Sequence, residues 1–435
     1  MAERDSHRYW GAHLGDVSSE PTALIDRAPE SRAARWTHPA AVERRVETAL
    51  VLLVMAFQLK SVVDLGLELG GVALLTPTKV AGAWFFGNFL LYLTTRRVPL
   101  RLGVIHIILV AIIALAVAST PQARAPDAAV VSTLRYASFV ALFFALTILL
   151  NDPRNQIRTV WALVTSSALA ACLALAHFFG GALVATTPYG DPNDTAFLLA
   201  TTLPLAFWLF AHERCWRPLT LVMIAAISTS VALSLSRGAI VGLAAAVVWQ
   251  LYVERRPART ILSICLIPIL AAALLVYFNP ARVRTGLAAK QKMAWVNMMT
   301  RLEAWGAATA LVVKHPLLGV GPGNFQFYCA DVWDYPGAEP VRVVHNTYLE
   351  VGAELGVFGL LLFVAYLALT FSRLGAAVGT GIGAPGLAAA LRLSLIVAVV
   401  AGLFLSEQFF APFWVLGALG TALSKSDKSD RVATS

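Results

Sequence analysis

The sequence predicts an all-α polytopic membrane protein of about twelve transmembrane helices, with one large polar loop that contains short helices. Composition is the first observation. Of 435 residues, 58% are hydrophobic and 14% charged, with a mean hydropathy of +0.70. A soluble domain averages about 45–50% apolar and about 25% charged. The second observation is the recurrence of apolar runs of about 20 residues, the length that crosses a bilayer. The third is where the cations stand. The net charge is +9, but the basic residues lie between apolar blocks, as loop anchors do, rather than in one patch for nucleic acid.

Residues 1–45 read as a flexible cytoplasmic tail carrying Arg4, Arg8, Arg27, Arg32, Arg35, Arg44 and Arg45. A cleavable signal would turn apolar within its first residues, whereas this chain does so only after Arg45. Spans one to nine are expected within 46–278, at roughly 47–66, 71–95, 102–119, 128–150, 157–178, 194–212, 217–233, 238–253 and 260–278. A large periplasmic loop follows at 279–344. Spans ten to twelve fill 345–424, at roughly 346–372, 387–406 and 409–424, and a cytoplasmic tail closes the chain at 425–435. Loop charge orients them. With the first tail inside, the inner connections carry Arg96, Arg97 and Arg101; Arg154 and Arg158; Arg214 and Arg217; Arg255, Arg256 and Arg259; Arg373 and Arg392; and Lys425, Lys428 and Arg431. The opposite connections are mostly poor in Lys and Arg, as the positive-inside rule requires. Cys172, Cys215, Cys265 and Cys329 show no paired or metal-ligand spacing.

The large loop breaks the charge pattern. It holds Arg282, Arg284, Lys290, Lys292, Arg301, Lys314 and Arg342 against Glu303, Asp331, Asp334 and Glu339. Long segments are translocated despite charge. The excess of cations reads equally as a solvated, lipid-attracted surface or as a site for an anionic ligand. "TRLEAWGAATALVVK" (300–314) spaces Leu302, Trp305, Ala308, Thr309 and Val312 as an amphipathic helix able to lie on the membrane. "HPLLGVGPGNF" (315–325) is a Pro/Gly loop. It reads first as a tight turn and second as a cradle of backbone amides for phosphate.

Ionisable groups at span ends mark function by default, because charge inside lipid is costly. Arg237 joins spans seven and eight at the outer surface, Arg135 enters span four there, and Arg342 and His345 enter span ten. Asp191 and Asp194 precede span six, where "DPND" reads first as a turn and helix N-cap. One membrane face thus gathers arginines and a histidine. Arginine grips phosphate bidentately and keeps its charge, and histidine accepts a proton near neutrality. Spacing alone makes His345 first an interfacial histidine capping span ten. Asn346, Glu350 and Glu354 share one helix face, where the glutamates satisfy buried polar groups. No metal motif, Walker motif or dinucleotide fingerprint is present, so no cofactor is expected.

Four stretches, taken in order, resemble the signatures of the O-antigen ligase and polymerase superfamily. They are "TPYGDPNDTAFLLATTLPL" (187–205), "SLSRGAIVGL" (234–243), "RLEAWGAATALVVKHPLLGVGPGNF" (301–325) and "HNTYLEVGAELGVFGLL" (345–361). The resemblance covers the chain from about span four to span eleven. It implies a GT-C-like, lipid-carrier-dependent membrane glycosyltransferase of the bacterial inner membrane, part of lipopolysaccharide biosynthesis, with its active site facing the periplasm. Such an enzyme passes a finished glycan from undecaprenyl pyrophosphate to a sugar hydroxyl of lipid A–core, inverting the anomeric carbon without metal or nucleotide. The family's functional positions fall on Arg237, Arg301 and His345, the arginines holding pyrophosphate and His345 acting as general base. Arg135 and Arg342 are added by position alone. The same signatures occur in O-antigen polymerases and protein O-oligosaccharyltransferases. A secondary transporter also fits about twelve spans with both termini inside, although charges gathered at one face and the lack of a half-to-half repeat weigh against it.

Overall fold

The computed structural model describes residues 38–59, 68–69, 72–73, 76–96, 98, 102–255, 273, 277, 280–332, 343–380 and 384–433. In chain order its helices are α1 (Pro39–Gln58), α2 (Pro77–Arg96), α3 (Val104–Ser119), α4 (Pro126–Leu149), α5 (Pro153–Phe179), α6 (Pro192–His212), α7 (Arg217–Ser234), α8 (Arg237–Tyr252), α9 (Pro280–Lys314), the single turn α10 (Phe325–Tyr328), α11 (Thr347–Thr380), α12 (Leu387–Ala401) and α13 (Ala411–Ala433). A two-residue antiparallel pair, Glu68–Leu69 with Val72–Ala73, lies between α1 and α2. The span expected at 260–278 falls almost wholly outside the described residues, as does Arg342.

Local chemistry sets the helix starts. Proline opens α1, α2, α4, α5, α6 and α9, a position whose missing N–H and fixed φ cost nothing. The Asp152 carboxylate accepts from the Arg154 amide at 2.8 Å and caps α5. Asp191 does the same for α6, accepting from the Asn193 amide at 2.7 Å.

Among the described residues, six helical segments are long and apolar enough to cross a membrane: 104–122, 126–149, 153–179, 192–212, 214–234 and 347–379. Helices α8, α12 and the first half of α13 are apolar but shorter. Helix α1 begins eight residues before the expected span and carries Glu43, Arg44, Arg45 and Glu47 in its first turns. Helix α12 packs against α6, α8, α11 and α13. Small residues permit this: a Cβ on Gly242 of α8 would come within 2.8 Å of the Val397 carbonyl. Trp414 of α13 is fully buried, stacked with Phe139 and Tyr366 at ring-centroid distances of 5.4 and 5.8 Å.

The helix expected over 300–314 is the end of a much longer one. Ala304, Ala307, Ala308 and Leu311 are buried, and the last three join Val320, Phe325, Cys329, Val344 and Ala353 in a second apolar core against α11. Leu302, expected on the apolar face, is 48% exposed. The buried stripe is rich in alanine because its partner is a close-packed helix.

Helix α11 is broken at Gly356, where φ is 72° and ψ −175°. The Val320 and Gly321 amides donate to the Ala353 and Glu354 carbonyls at 2.9 and 3.0 Å, and the Val357 amide donates to the Pro316 carbonyl at 2.8 Å. An apolar helix can open its ladder only where another segment satisfies the freed groups, and the glycine loop 315–325 supplies that here. This answers the phosphate-cradle reading of the loop. The Gly319, Val320 and Gly321 amides are spent on backbone carbonyls. Those of Gly323 and Phe325 face the Glu354 carboxylate. The nest holds a carboxyl group that belongs to the protein itself.

Candidate functional site

Three junctions build the site. At the first, α7 ends at Ser234, Leu235 turns the chain with φ 53°, and α8 starts at Arg237. The Ser234 hydroxyl donates to the Val231 carbonyl at 2.7 Å and accepts from the Ser236 amide at 3.2 Å, fixing the turn. Gly238, next to Arg237, sits against the 401–405 turn: a Cβ there would lie 3.2 Å from Phe404 Cβ.

At the second, α9 carries the half-buried Lys290 and Arg301 about three turns apart, hence on one face. The start of α9 is anchored by Arg282, whose guanidinium donates to the Phe178 and Phe179 carbonyls at 2.8 and 2.5 Å. Arg282 therefore caps the C-terminus of α5 and is not a free cation for a ligand.

At the third, His345 stands just before α11 with φ 55°, a left-handed conformation sparsely used by non-glycine residues and costing about 1–3 kcal/mol. Its amide donates to the Ser406 hydroxyl at 3.0 Å. Asn346 then caps α11, its side-chain oxygen accepting from the Tyr348 and Leu349 amides at 3.0 and 3.1 Å.

Electrostatics tie the three together. Burial pushes the Lys290 ammonium below its usual range; Asp191 opposes this, and Arg301 and Arg237 add to it. Arg301 is lowered by burial, opposed by Asp191 and reinforced by Arg237. His345 is lowered by burial and then by Arg301, against the pull of Asp191. The fields of Arg301 and Asp191 thus reach Lys290 and His345, and Arg237 acts on Lys290 and Arg301, three cations against one carboxylate. Such a group has the charge to hold a multiply charged anion beside an imidazole biased toward its neutral form.

Of the residues expected from sequence, Arg301 is within electrostatic reach of both Arg237 and His345. Arg135 does not join them directly: its guanidinium lies 5.8 Å from the Phe409 ring centroid and within the field of Glu354. Glu350 and Glu354 are hydrogen-bonded between elements. Glu350 accepts from Ser406 and, at 2.8 Å, from Gln408. Asp191, which the sequence places at this membrane face as a turn and N-cap, faces these cations, and Lys290 and Ser406 are further residues of the site. For Lys290 the signal was present, namely helical spacing to Arg301. Ser406 carries no local signal, since its contact crosses 61 positions. Among the described residues, no three His, Cys, Asp or Glu side chains group as metal ligands.

Comparison with known proteins adds two findings. Residues 221–364 match the family model described as O-antigen ligase. Over 265 residues the chain is 28% identical to an O-antigen ligase of Pseudomonas aeruginosa, an alignment covering 57% of this chain and 59% of that protein. The matched segment encloses Arg237, Arg301 and His345. Over that segment the chain is similar to the O-antigen ligase family, and the alignment spans less than two thirds of that relative's length.

Proposed function

We propose that this chain is an O-antigen ligase. It transfers a finished glycan from undecaprenyl pyrophosphate to a sugar hydroxyl of lipid A–core, at the periplasmic face of the bacterial inner membrane. The observation that supports this reading is that Arg301 lies within the fields of Arg237 and Lys290 on one side and of His345 on the other, with the His345 imidazole held below its usual pKa by burial and then by Arg301. About twelve spans with both tails in the cytoplasm, and a periplasmic loop over 279–344, give the matching topology, supported by the loop-charge asymmetry.

In the reaction His345 takes the proton of the acceptor hydroxyl as its oxygen attacks the anomeric carbon from the face opposite the leaving group. The bond from that carbon to the pyrophosphate oxygen breaks, the configuration inverts, and the carrier departs as undecaprenyl pyrophosphate. Arg237 and Arg301 hold the pyrophosphate and stabilise the negative charge that builds on its bridging oxygen. Arg135 and Arg342 belong to the wider cationic approach for the carrier. No metal or nucleotide takes part.

Purified protein, mixed with undecaprenyl-pyrophosphate glycan and lipid A–core in chelator without nucleotide, tests this. Transfer to lipid A–core by wild type, lost in His345→Ala and Arg237→Ala, is the expected result. Lengthening of the donor glycan identifies a polymerase instead, and transfer only to protein identifies a protein O-oligosaccharyltransferase. Donor binding without any transfer moves the reading to a transporter.

A further inference from the structure

We propose that Ser406, oriented by Glu350, is a positioning residue that holds His345 in its working pose. The inference rests on the reading of His345 as general base.

The hydrogen-bond directions are fixed by chemistry. The His345 amide is a donor, so the Ser406 oxygen accepts from it at 3.0 Å. The single hydroxyl proton of Ser406 then goes to Glu350, and the contact between those side chains is present. The Gln408 side-chain amide donates to the other Glu350 oxygen at 2.8 Å, and the Val344 backbone donates to the same carboxylate. Glu350 is thus an acceptor on all sides, and Ser406 has one orientation available.

This chain of contacts bears on the one strained residue of the junction. His345 has φ 55°, a conformation that persists only when the surroundings over-determine it. The contacts that do so come from the 402–408 turn. The Thr347 amide donates to the Gly402 carbonyl at 2.9 Å. The Thr347 hydroxyl donates to the Leu405 carbonyl at 2.7 Å and accepts from the Glu407 amide at 2.9 Å. These contacts hold the residue two after His345, and the Ser406 hydroxyl holds His345 itself. The same turn packs against Gly238, the neighbour of Arg237. One turn therefore registers the base against the phosphate-binding arginine. A histidine relaxed from its left-handed pose would leave the field of Arg301 without altering the cation cluster. The signature is a loss in turnover at unchanged donor affinity.

The test compares Ser406→Ala, Ser406→Thr and Glu350→Gln with wild type. It measures kcat and donor KM in the ligase assay and the rate of His345 carbethoxylation by diethylpyrocarbonate, read peptide by peptide. Ser406→Ala is expected to lower kcat at least tenfold with donor KM within about twofold, and Ser406→Thr, which keeps the hydroxyl, to recover most of it. Glu350→Gln is expected to behave like Ser406→Ala, because an amide must turn a donor toward Ser406 or Gln408. His345 labelling should change severalfold in Ser406→Ala and return in Ser406→Thr, with the other histidines unchanged.

The proposal is overturned if Ser406→Ala keeps wild-type kcat and labelling. It is also overturned if Ser406→Thr fails to restore either, or if both variants lose the fold. If wild type transfers no glycan, the ligase reading fails on its own, and the labelling comparison still decides whether Ser406 sets the pose of His345.

Discussion

The Gly321 amide donates to the backbone carbonyl of Glu354 at 3.0 Å, and two residues later the Gly323 amide faces the carboxylate of the same glutamate. One residue of α11 is thus gripped through main chain and side chain by a single glycine loop, next to the break at Gly356. The loop can do this because Gly319, Gly321 and Gly323 have φ of 66°, 97° and 68°. A Cβ on Gly319 would lie 2.4 Å from the Glu354 carbonyl group. Gly319→Ala combines left-handed strain of about 1–2 kcal/mol with a clash against backbone that cannot swing away. It is expected to destabilise by more than about 2 kcal/mol and to lower Tm by several degrees in detergent. A wild-type melting curve would remove the loop from its role as the partner of the broken helix.

The position of His345 sets a pH dependence. Burial and Arg301 both favour the neutral imidazole. Its pKa in the free protein lies below the ordinary histidine value of about 6.5, so the base is available throughout the neutral range. Activity should rise with pH through a pKa below that value and then plateau. Bound pyrophosphate adds negative charge, so the pKa in kcat should exceed that in kcat/KM. The stability consequence has a definite sign. His345 is more easily protonated unfolded than folded, so its contribution is complete above about pH 6.5 and is lost as pH falls below it. Arg301→Gln removes one of the two causes of the lowering and should move the kcat/KM limb upward in pH. A limb that stays in place would separate Arg301 from His345.

Two arginines of the same helix are expected to fail differently. Arg282 spends its guanidinium on the Phe178 and Phe179 carbonyls, whereas Arg301 faces Arg237, Asp191 and His345. Arg282→Ala should cost about 1–2 kcal/mol of stability, as a charged hydrogen bond is lost, with donor affinity nearly unchanged. Arg301→Lys keeps charge but loses the planar fork, and should weaken donor binding by tenfold or more with little change in Tm. Equilibrium binding of the donor glycolipid and thermal unfolding, run on both variants, distinguish these outcomes. A reversed pattern would reassign the two residues.

Helical spans were legible because lipid leaves the backbone few options, and α3 to α8 lie within a few residues of the expected runs. Arg237, Arg301 and His345 were legible as the residues of a resemblance and as charges at span ends. What the sequence hid is tertiary. The glycine loop reads as a phosphate cradle until Glu354 is found to face its amides, and nothing near residue 354 announces that. Arg282 and Arg301 look alike along the chain, and only the carbonyls at the end of α5 tell them apart. The start of α1 was obscured by its own charges, because Glu43 and Glu47 are paired with Arg96 and Arg158 of neighbouring segments.

Arg124 and Asp331 clip the loop after α9 to the turn before α4. Their side chains are 2.5 Å apart and nearly half exposed. Arg124 also donates to the Phe327 carbonyl at 3.1 Å, and its guanidinium lies 4.1 Å from the Tyr328 ring centroid. The hydrogen bond between them raises the guanidinium and lowers the carboxyl from their usual values. The pair therefore contributes at pH above the ordinary carboxylate range and is lost as pH falls through the lowered value of Asp331. An exposed pair is screened by salt, so its effect belongs to the local opening of this loop, not to global unfolding. Asp331→Asn should leave Tm close to wild type and speed protease cleavage after residue 326 at low ionic strength. At about 1 M salt, where the Debye length falls to about 3 Å, wild type and variant should be cut at similar rates. The Asn324 side chain, bonded to both the amide and carbonyl of Ala125 at 2.9 and 3.2 Å, is a neutral clip on the same turn. Asn324→Ala should therefore speed cleavage at every salt concentration. Equal cutting of Asp331→Asn and wild type at low salt would show that the neutral clip alone holds the loop.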